Sequence, residues 1–195
     1  RLGPGAVVAL GGPGRSRATR AAEELAARYR LWGLISAGFA GALVPGLEVG
    51  AIVVDTDVPR WQALAQGKGT VAGRIVTVDR VMRTVAERTQ LAAETCAVAV
   101  DMESQAVAEV AWRMGLPFAA VRAITDTAVR DLVLDWIRYR RPDGNFRHLY
   151  LLAQALKSKQ GIAEICQLWY ASRLASRRLS RFLRELLQDH GTFAD

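Results

Sequence analysis

The chain has 195 residues, half of them apolar, and carries a formal net charge of +7. That length suits one domain with a proper hydrophobic core, and the composition excludes a disordered or low-complexity chain. No apolar run approaches the ~20 residues that cross a bilayer. Cys96 and Cys166 lie far apart in apolar contexts and read as buried thiols in a reducing compartment. With only His148 and His190 as imidazoles, neither a metal centre nor a histidine-based triad is expected.

Taken in order, Ala6–Leu10 is a short apolar run that reads as a strand, and Gly11-Gly12-Pro13-Gly14 is a glycine-rich turn. Ser16–Tyr29 is an alanine-rich helix with apolar residues at helical spacing. Leu34–Ser36 reads as a buried strand entering a turn, Ala37-Gly38-Phe39-Ala40-Gly41. Gly50–Val54 and Val71–Val78 are β-branched runs expected to be strands. The pattern then predicts a helix over Arg80–Ala93, a strand over Ala97–Val100, a helix over Met102–Met114 and a strand over Phe118–Ala123. This alternation points to an α/β fold with a largely parallel or mixed sheet, in which ligands bind beyond the carboxyl ends of strands.

From Asp131 onward the sequence reads as helical, with Pro142-Asp143-Gly144-Asn145 as a turn. Ile162, Ile165, Cys166, Trp169, Tyr170, Leu174, Phe182, Leu183 and Leu186 mark one apolar stripe on a long helix. Arg173, Arg177, Arg178, Arg181 and Arg184 mark the opposite face, and Arg138, Arg140, Arg141, Arg147, Lys157 and Lys159 add to the charge. The basic face has two readings, a solvated side of a core-packed helix or a surface for anionic lipid. Nucleic acid is set aside, because no aromatic-interleaved or helix-turn-helix pattern accompanies the arginines.

The residues with chemical potential cluster in two motifs, Asp101-Met102-Glu103-Ser104 and Arg122-Ala123-Ile124-Thr125-Asp126, both expected at one edge of the sheet. Glu103 stands in the first turn of its helix, where the dipole favours a carboxylate able to hold two sugar hydroxyls; helix capping is the competing role, contested by Asp101. Arg122 is the single charge in an apolar strand and requires a partner or a bound anion. Asp126 follows at the strand's end as a candidate proton donor. Gly12, Gly14 and Arg15 open a helix and offer amides and a guanidinium to an anion, although their spacing is not that of a dinucleotide fingerprint. At Gly38 the missing side chain lets a ligand approach the backbone.

These motifs, together with Gly115-Leu116-Pro117-Phe118, Ser36-Ala37-Gly38-Phe39-Ala40-Gly41 and Val49-Gly50-Ala51-Ile52-Val53-Val54, resemble the purine nucleoside phosphorylase and nucleosidase superfamily. Within it, Pro117-Phe118-Ala119-Ala120-Val121-Arg122, Asp143-Gly144 and the arginine-rich Ser172–Arg177 tail are most similar to the hopanoid-associated phosphorylase, or adenosylhopane nucleosidase, branch. The resemblance implies a single three-layer α/β/α domain with a central mixed sheet and a helical C-terminal extension over residues 146–195. It also implies cleavage of a purine N-ribosidic bond, releasing adenine from a nucleoside that is small or lipid-linked.

By the same resemblance, Asp126 would protonate the five-membered ring of the purine and Arg122 would orient the attacking water or phosphate. Glu103, with Met102, Gly38 and Phe39, would hold the sugar. Val81 and Met82 would wall the base, and Gly12, Gly14 and Arg15 would take phosphate where it is the co-substrate. No other cofactor is implied. Two departures stand out: position 39 is Phe where related nucleosidases commonly have Ser, and relatives carry a glutamate on an N-terminal strand that activates water. Since Arg1 is not a translational start, a preceding strand is expected to supply that base. The resemblance further implies a cytoplasmic homo-oligomer that meets the inner membrane through its basic C-terminal helix. A non-catalytic nucleoside-binding module is the reading from another class.

Overall fold

The computed structural model describes residues 6–62, 65, 69–132, 156 and 159–188. Helix α1 (Arg15–Arg28) leads to β1 (Leu34–Ala42), β2 (Ile52–Thr56), a short α2 (Pro59–Gln62), β3 (Thr70–Ala72) and β4 (Ile75–Thr77). There follow α3 (Val85–Thr95), β5 (Ala99–Asp101), α4 (Ser104–Arg113), β6 (Phe118–Asp126) and α5 (Lys159–Gln188). The strands form one mixed sheet of order β3-β2-β6-β1-β5-β4. Helices α1 and α4 pack on the face carrying Leu34 and Phe118, and α5 packs on the other, against Ile52, Val54, Val121 and Ala123. This is the expected α/β architecture with a C-terminal helix.

Several boundaries differ from the expectation, each for a physical reason. The run 6–10 is not a strand: Leu10 is 97% exposed, and among the described residues the segment has no ladder partner. The expected turn over residues 37–41 is the interior of β1, which pairs with parallel β6 from Leu34↔Phe118 to Ala40↔Ile124. There the small residues serve close packing rather than chain reversal. Helix α3 starts at Val85 because Thr84 caps it: the Thr84 hydroxyl accepts from the Glu87 amide (3.2 Å), and the Glu87 carboxylate accepts from the Thr84 amide (3.0 Å). Hydrogen bonds from Arg80 and from the Thr84 and Arg83 amides hold the Glu87 carboxyl down at about 2.

The expected strand Val71–Val78 divides into β3 and β4, which lie at opposite ends of the sheet order although only Gly73 and Arg74 separate them. Consecutive Cα atoms are ~3.8 Å apart, so the sheet must curl until its first and last strands adjoin. Gly73 donates to Val54 O (3.1 Å), and Arg74 O accepts from Val98 (2.9 Å). A Cβ at Gly73 would lie 2.5 Å from Val98, so the closure requires glycine. Asp55 caps the seam by accepting from the Ile75 amide (2.7 Å), and its burial pushes the carboxyl pKa up.

Helix α5 corrects the expected stripe. It meets the sheet through Ala175, with Leu179 and Phe182 partly buried against the same cluster; Ala171 and Leu186 are also buried, while Ile162, Trp169 and Tyr170 are exposed. The small Ala175 allows a close approach to the sheet, and Ile162 and Trp169 are left on the far face. Both cysteines are exposed rather than buried: Cys96 ends α3 in the left-handed region (φ 54°), and Cys166 lies on α5 away from the sheet. Residues 133–155, including the turn at 142–145 and His148, lie outside the described residues, as does His190.

Candidate active site

Arg122 sits in the middle of β6 and is 1% exposed, not at a strand end as expected. Because β5 runs antiparallel to β1 while β6 runs parallel to it, the two motifs approach from opposite directions rather than from one edge. Arg122 reaches across β1 to Asp101 on β5. Four hydrogen bonds hold it: Nε donates to Asp101 Oδ2 (2.7 Å), Nη1 donates to the carbonyls of Ser36 and Val121, and Nη2 donates to Ser36 Oγ (2.8 Å), while Nη2 also forms an ion pair with Asp101 Oδ2 (2.6 Å). Asp101 is buried and also accepts from Thr77 Oγ1 (2.6 Å) and the Ser104 amide (3.0 Å). Full pairing is what lets two charges persist in the core.

Asp101 thereby caps α4, which releases Glu103 from that duty. The Glu103 side chain instead reaches the start of another helix, where Oε1 accepts from the Gly14 amide at 2.7 Å. A carboxylate there is favoured by the unpaired amides and dipole of α1. The anion that the glycine-rich loop holds in this structure is therefore Glu103 itself. Arg15 turns toward α4, where it meets Glu109 (2.9 Å) and Gln105 (3.3 Å).

Asp126 is placed by a β-bulge. The β1–β6 register shifts between Ala40 and Gly41, so that Asp126 rather than Thr125 lies beside Gly41. The bulge reverses the alternation of side chains and takes Asp126 off the face that carries Arg122. A Cβ at Gly41 would come within 2.8 Å of Asp126 Oδ2, so the close approach requires glycine. Oδ1 accepts from Thr125 Oγ1 (2.9 Å), and Oδ2 meets Nη2 of Arg88 at 2.6 Å. Sequence reasoning missed Arg88, which is 1% exposed on the first turn of α3.

The predicted residues fall around two cavities. One of about 360 Å³ is lined by Gly12, Ser36, Gly38, Phe39, Glu103 and Arg122. The other, of about 590 Å³, opens between the end of β6 and α5 and is lined by Asp126, Thr125, Val49, Arg130, Leu168 and Tyr170. Residues 38–41 of β1 run between them. Met102 and Val81 are half-buried, and Met82 is buried with Leu43, Ala97 and Val100; its carbonyl accepts from Arg88, linking it indirectly to Asp126.

Residues 59–137, which span Met82, Arg88, Asp101, Glu103, Arg122 and Asp126, match the model of the phosphorylase superfamily. The 5′-methylthioadenosine/S-adenosylhomocysteine nucleosidase of Listeria monocytogenes is 27% identical over 163 residues, covering 64% of this chain and 70% of that protein. Among solved structures, the S-adenosylhomocysteine nucleosidase of Streptococcus pyogenes superposes with a TM-score of 0.61 at 21% identity, covering 90% of this chain and 77% of the other. The methylthioadenosine/S-adenosylhomocysteine nucleosidase of Colwellia psychrerythraea, solved with adenine, gives a TM-score of 0.54 at 24% identity, covering 62% and 64%. The family model and the nucleosidase relatives support the phosphorylase superfamily and an enzyme of the N-ribosyl hydrolase or phosphorylase kind.

Proposed function

We propose that this phosphorylase-superfamily chain hydrolyses a purine N-ribosidic bond and releases adenine. The observation that carries the reading is Asp126, a carboxyl within the family-matched span, delivered by a bulge to the mouth of a cavity and gripped on both oxygens. As the C1′–N9 bond breaks, its electron pair leaves with the purine. The carboxyl proton passes to the five-membered ring nitrogen, a water oxygen bonds to C1′, and the proton lost by that water restores the acid. Glu103, whose Oε1 accepts from the Gly14 amide, lines with Gly38 and Phe39 the other cavity, across β1 from Asp126, and takes no part in this step. Arg122, its donors satisfied by protein atoms, contributes charge and holds Asp101 in place.

Water rather than phosphate is favoured as nucleophile, because the candidate phosphate contacts are engaged elsewhere. The Gly14 amide serves Glu103, Arg15 faces Glu109, and Arg122 is spent on Asp101, Ser36 and the Val121 carbonyl. The full chain incubated with 5′-substituted adenosines is expected to release adenine at the same rate with and without phosphate, yielding the free sugar. A ribose 1-phosphate product overturns hydrolysis, and saturable binding without adenine release leaves a nucleoside-binding module.

For the native substrate we propose a lipid-linked adenosine such as adenosylhopane, met at an anionic membrane surface. Among the described residues no helix is long and apolar enough to cross a membrane. The outer face of α5, however, exposes Ile162 and Trp169 beside Arg173, which lies 4.6 Å over the Trp169 ring, and Arg177, Arg178 and Arg181 are exposed along the same helix. Apolar and aromatic side chains next to arginines suit the headgroup boundary of anionic lipid. Sedimentation with phosphatidylserine vesicles at low salt is expected to carry the protein down. At ~1 kcal/mol per arginine near the surface, alanines at Arg177, Arg178 and Arg181 should weaken that binding about a hundredfold. Binding that these substitutions do not change removes the membrane role.

A further inference from the structure

Arg88 has no place in the chemistry described so far, yet it is the most elaborately anchored side chain near Asp126. Nε and Nη2 donate to Met82 O (3.2 and 3.0 Å), and Nη1 donates to Thr127 O (2.8 Å) and Ala42 O (3.5 Å). The guanidinium thus ties together the approach to α3, the end of β1 and the segment after β6. Its remaining direction is filled by Asp126 Oδ2 at 2.6 Å. A buried guanidinium held by neutral carbonyls favours a carboxylate beside it, and Asp126 is the acid in contact with it.

Resting on the reading of Asp126 as the acid of N-ribosidic cleavage, we propose that Arg88 is its positioning residue and selects which carboxyl oxygen carries the transferable proton. Arginine only donates hydrogen bonds, so Oδ2, facing Nη2, is an acceptor, and the proton of the acid form sits on Oδ1. There the Thr125 hydroxyl, which can rotate to accept, is its neighbour at 2.9 Å. When the Oδ1–H bond breaks and the new N–H bond forms on the purine, the carboxylate left behind is already opposite a fixed positive charge. The four contacts to main-chain carbonyls keep that charge from following the purine. Preorganisation of this kind spares the site from reorienting at the moment of transfer.

The test compares leaving groups. Adenine needs protonation to depart, whereas 4-nitrophenolate from 4-nitrophenyl β-D-ribofuranoside does not. For Arg88→Met, kcat on a 5′-substituted adenosine is expected to fall about a hundredfold with KM changed by no more than about threefold. The same variant should cleave the nitrophenyl riboside within about threefold of the unaltered protein. Arg88→Lys keeps the charge but loses the planar fork, and should recover about a tenth of the nucleoside rate. The ratio of the two rates in one preparation is independent of how much of the variant folds. An equal loss on both substrates, or a lysine variant no better than methionine, overturns the role of Arg88 and leaves the proposed function standing. If the unaltered chain cleaves neither substrate, the functional reading itself fails, and the role of Arg88 with it.

Discussion

Asp126→Asn lowers adenine release by about 10²–10⁴-fold, the range of a positioned general acid, while the protein remains folded. The amide keeps the shape of the carboxyl, and its carbonyl oxygen can still accept from Arg88, so the geometry imposed by the bulge survives. What it cannot do is give up a proton as the purine departs. The contact with the Arg88 guanidinium at Oδ2 is kept, so thermal stability changes little while the rate falls. Chromatographic measurement of adenine under saturating nucleoside, alongside calorimetric titration with adenine, separates a loss of rate from a loss of fold. Unchanged turnover would remove Asp126 as the proton donor.

The second large effect falls on stability. Arg122→Met leaves Asp101 buried with Thr77 Oγ1 and the Ser104 amide but no cation, and it strips a donor from Ser36 Oγ and two carbonyls of theirs. Breaking one side of a buried ion pair costs about 3–5 kcal/mol, which for a chain of this size lowers the melting temperature by roughly 10 °C. Removing both charges is expected to cost less than removing one. Arg122→Met combined with Asp101→Leu should recover part of the loss, since no buried charge then remains uncompensated. Thermal unfolding followed by circular dichroism checks all three variants. Full additivity of the two single losses would show that the pair does not act as a unit.

Much of the fold was legible because its signals are local. The β-branched runs became strands, and the alanine-rich helix at the N-terminus was displaced by a single residue at each end. The small-residue stretch 37–41 was misread because glycine and alanine carry turn propensity in isolation, whereas in β1 their size is what the pairing with β6 and the approach of Asp126 require. The division of residues 71–78 was invisible for a different reason: which strand β3 or β4 adjoins is decided by partners far away in sequence. In the candidate site, the charge in an apolar strand correctly announced that Arg122 needs a partner, but the sequence could not say that Asp101 would satisfy it completely. The division of labour between Asp101 and Glu103 also depended on where α1 lies. Arg88 did leave a trace. It shares a helical face with Leu91 and Ala92, both packed in the cluster around Met82, and a charge on an apolar helical face marks a burial that needs explaining.

The two-residue crossing at Gly73 and Arg74 bears on how the molecule avoids its own kind. A flat sheet ends in strands whose unpaired amides and carbonyls template the addition of another chain, and natural proteins blunt such edges with charge, brevity or cover. Here the terminal strands β3 and β4 are three residues each and are drawn together by the curl that joins them. Neither presents a long, straight ladder to a second molecule. The curvature that seats Asp55 against Ile75 thus also guards against edge-to-edge polymerisation, and the glycine that permits it, Gly73, protects solubility as much as shape.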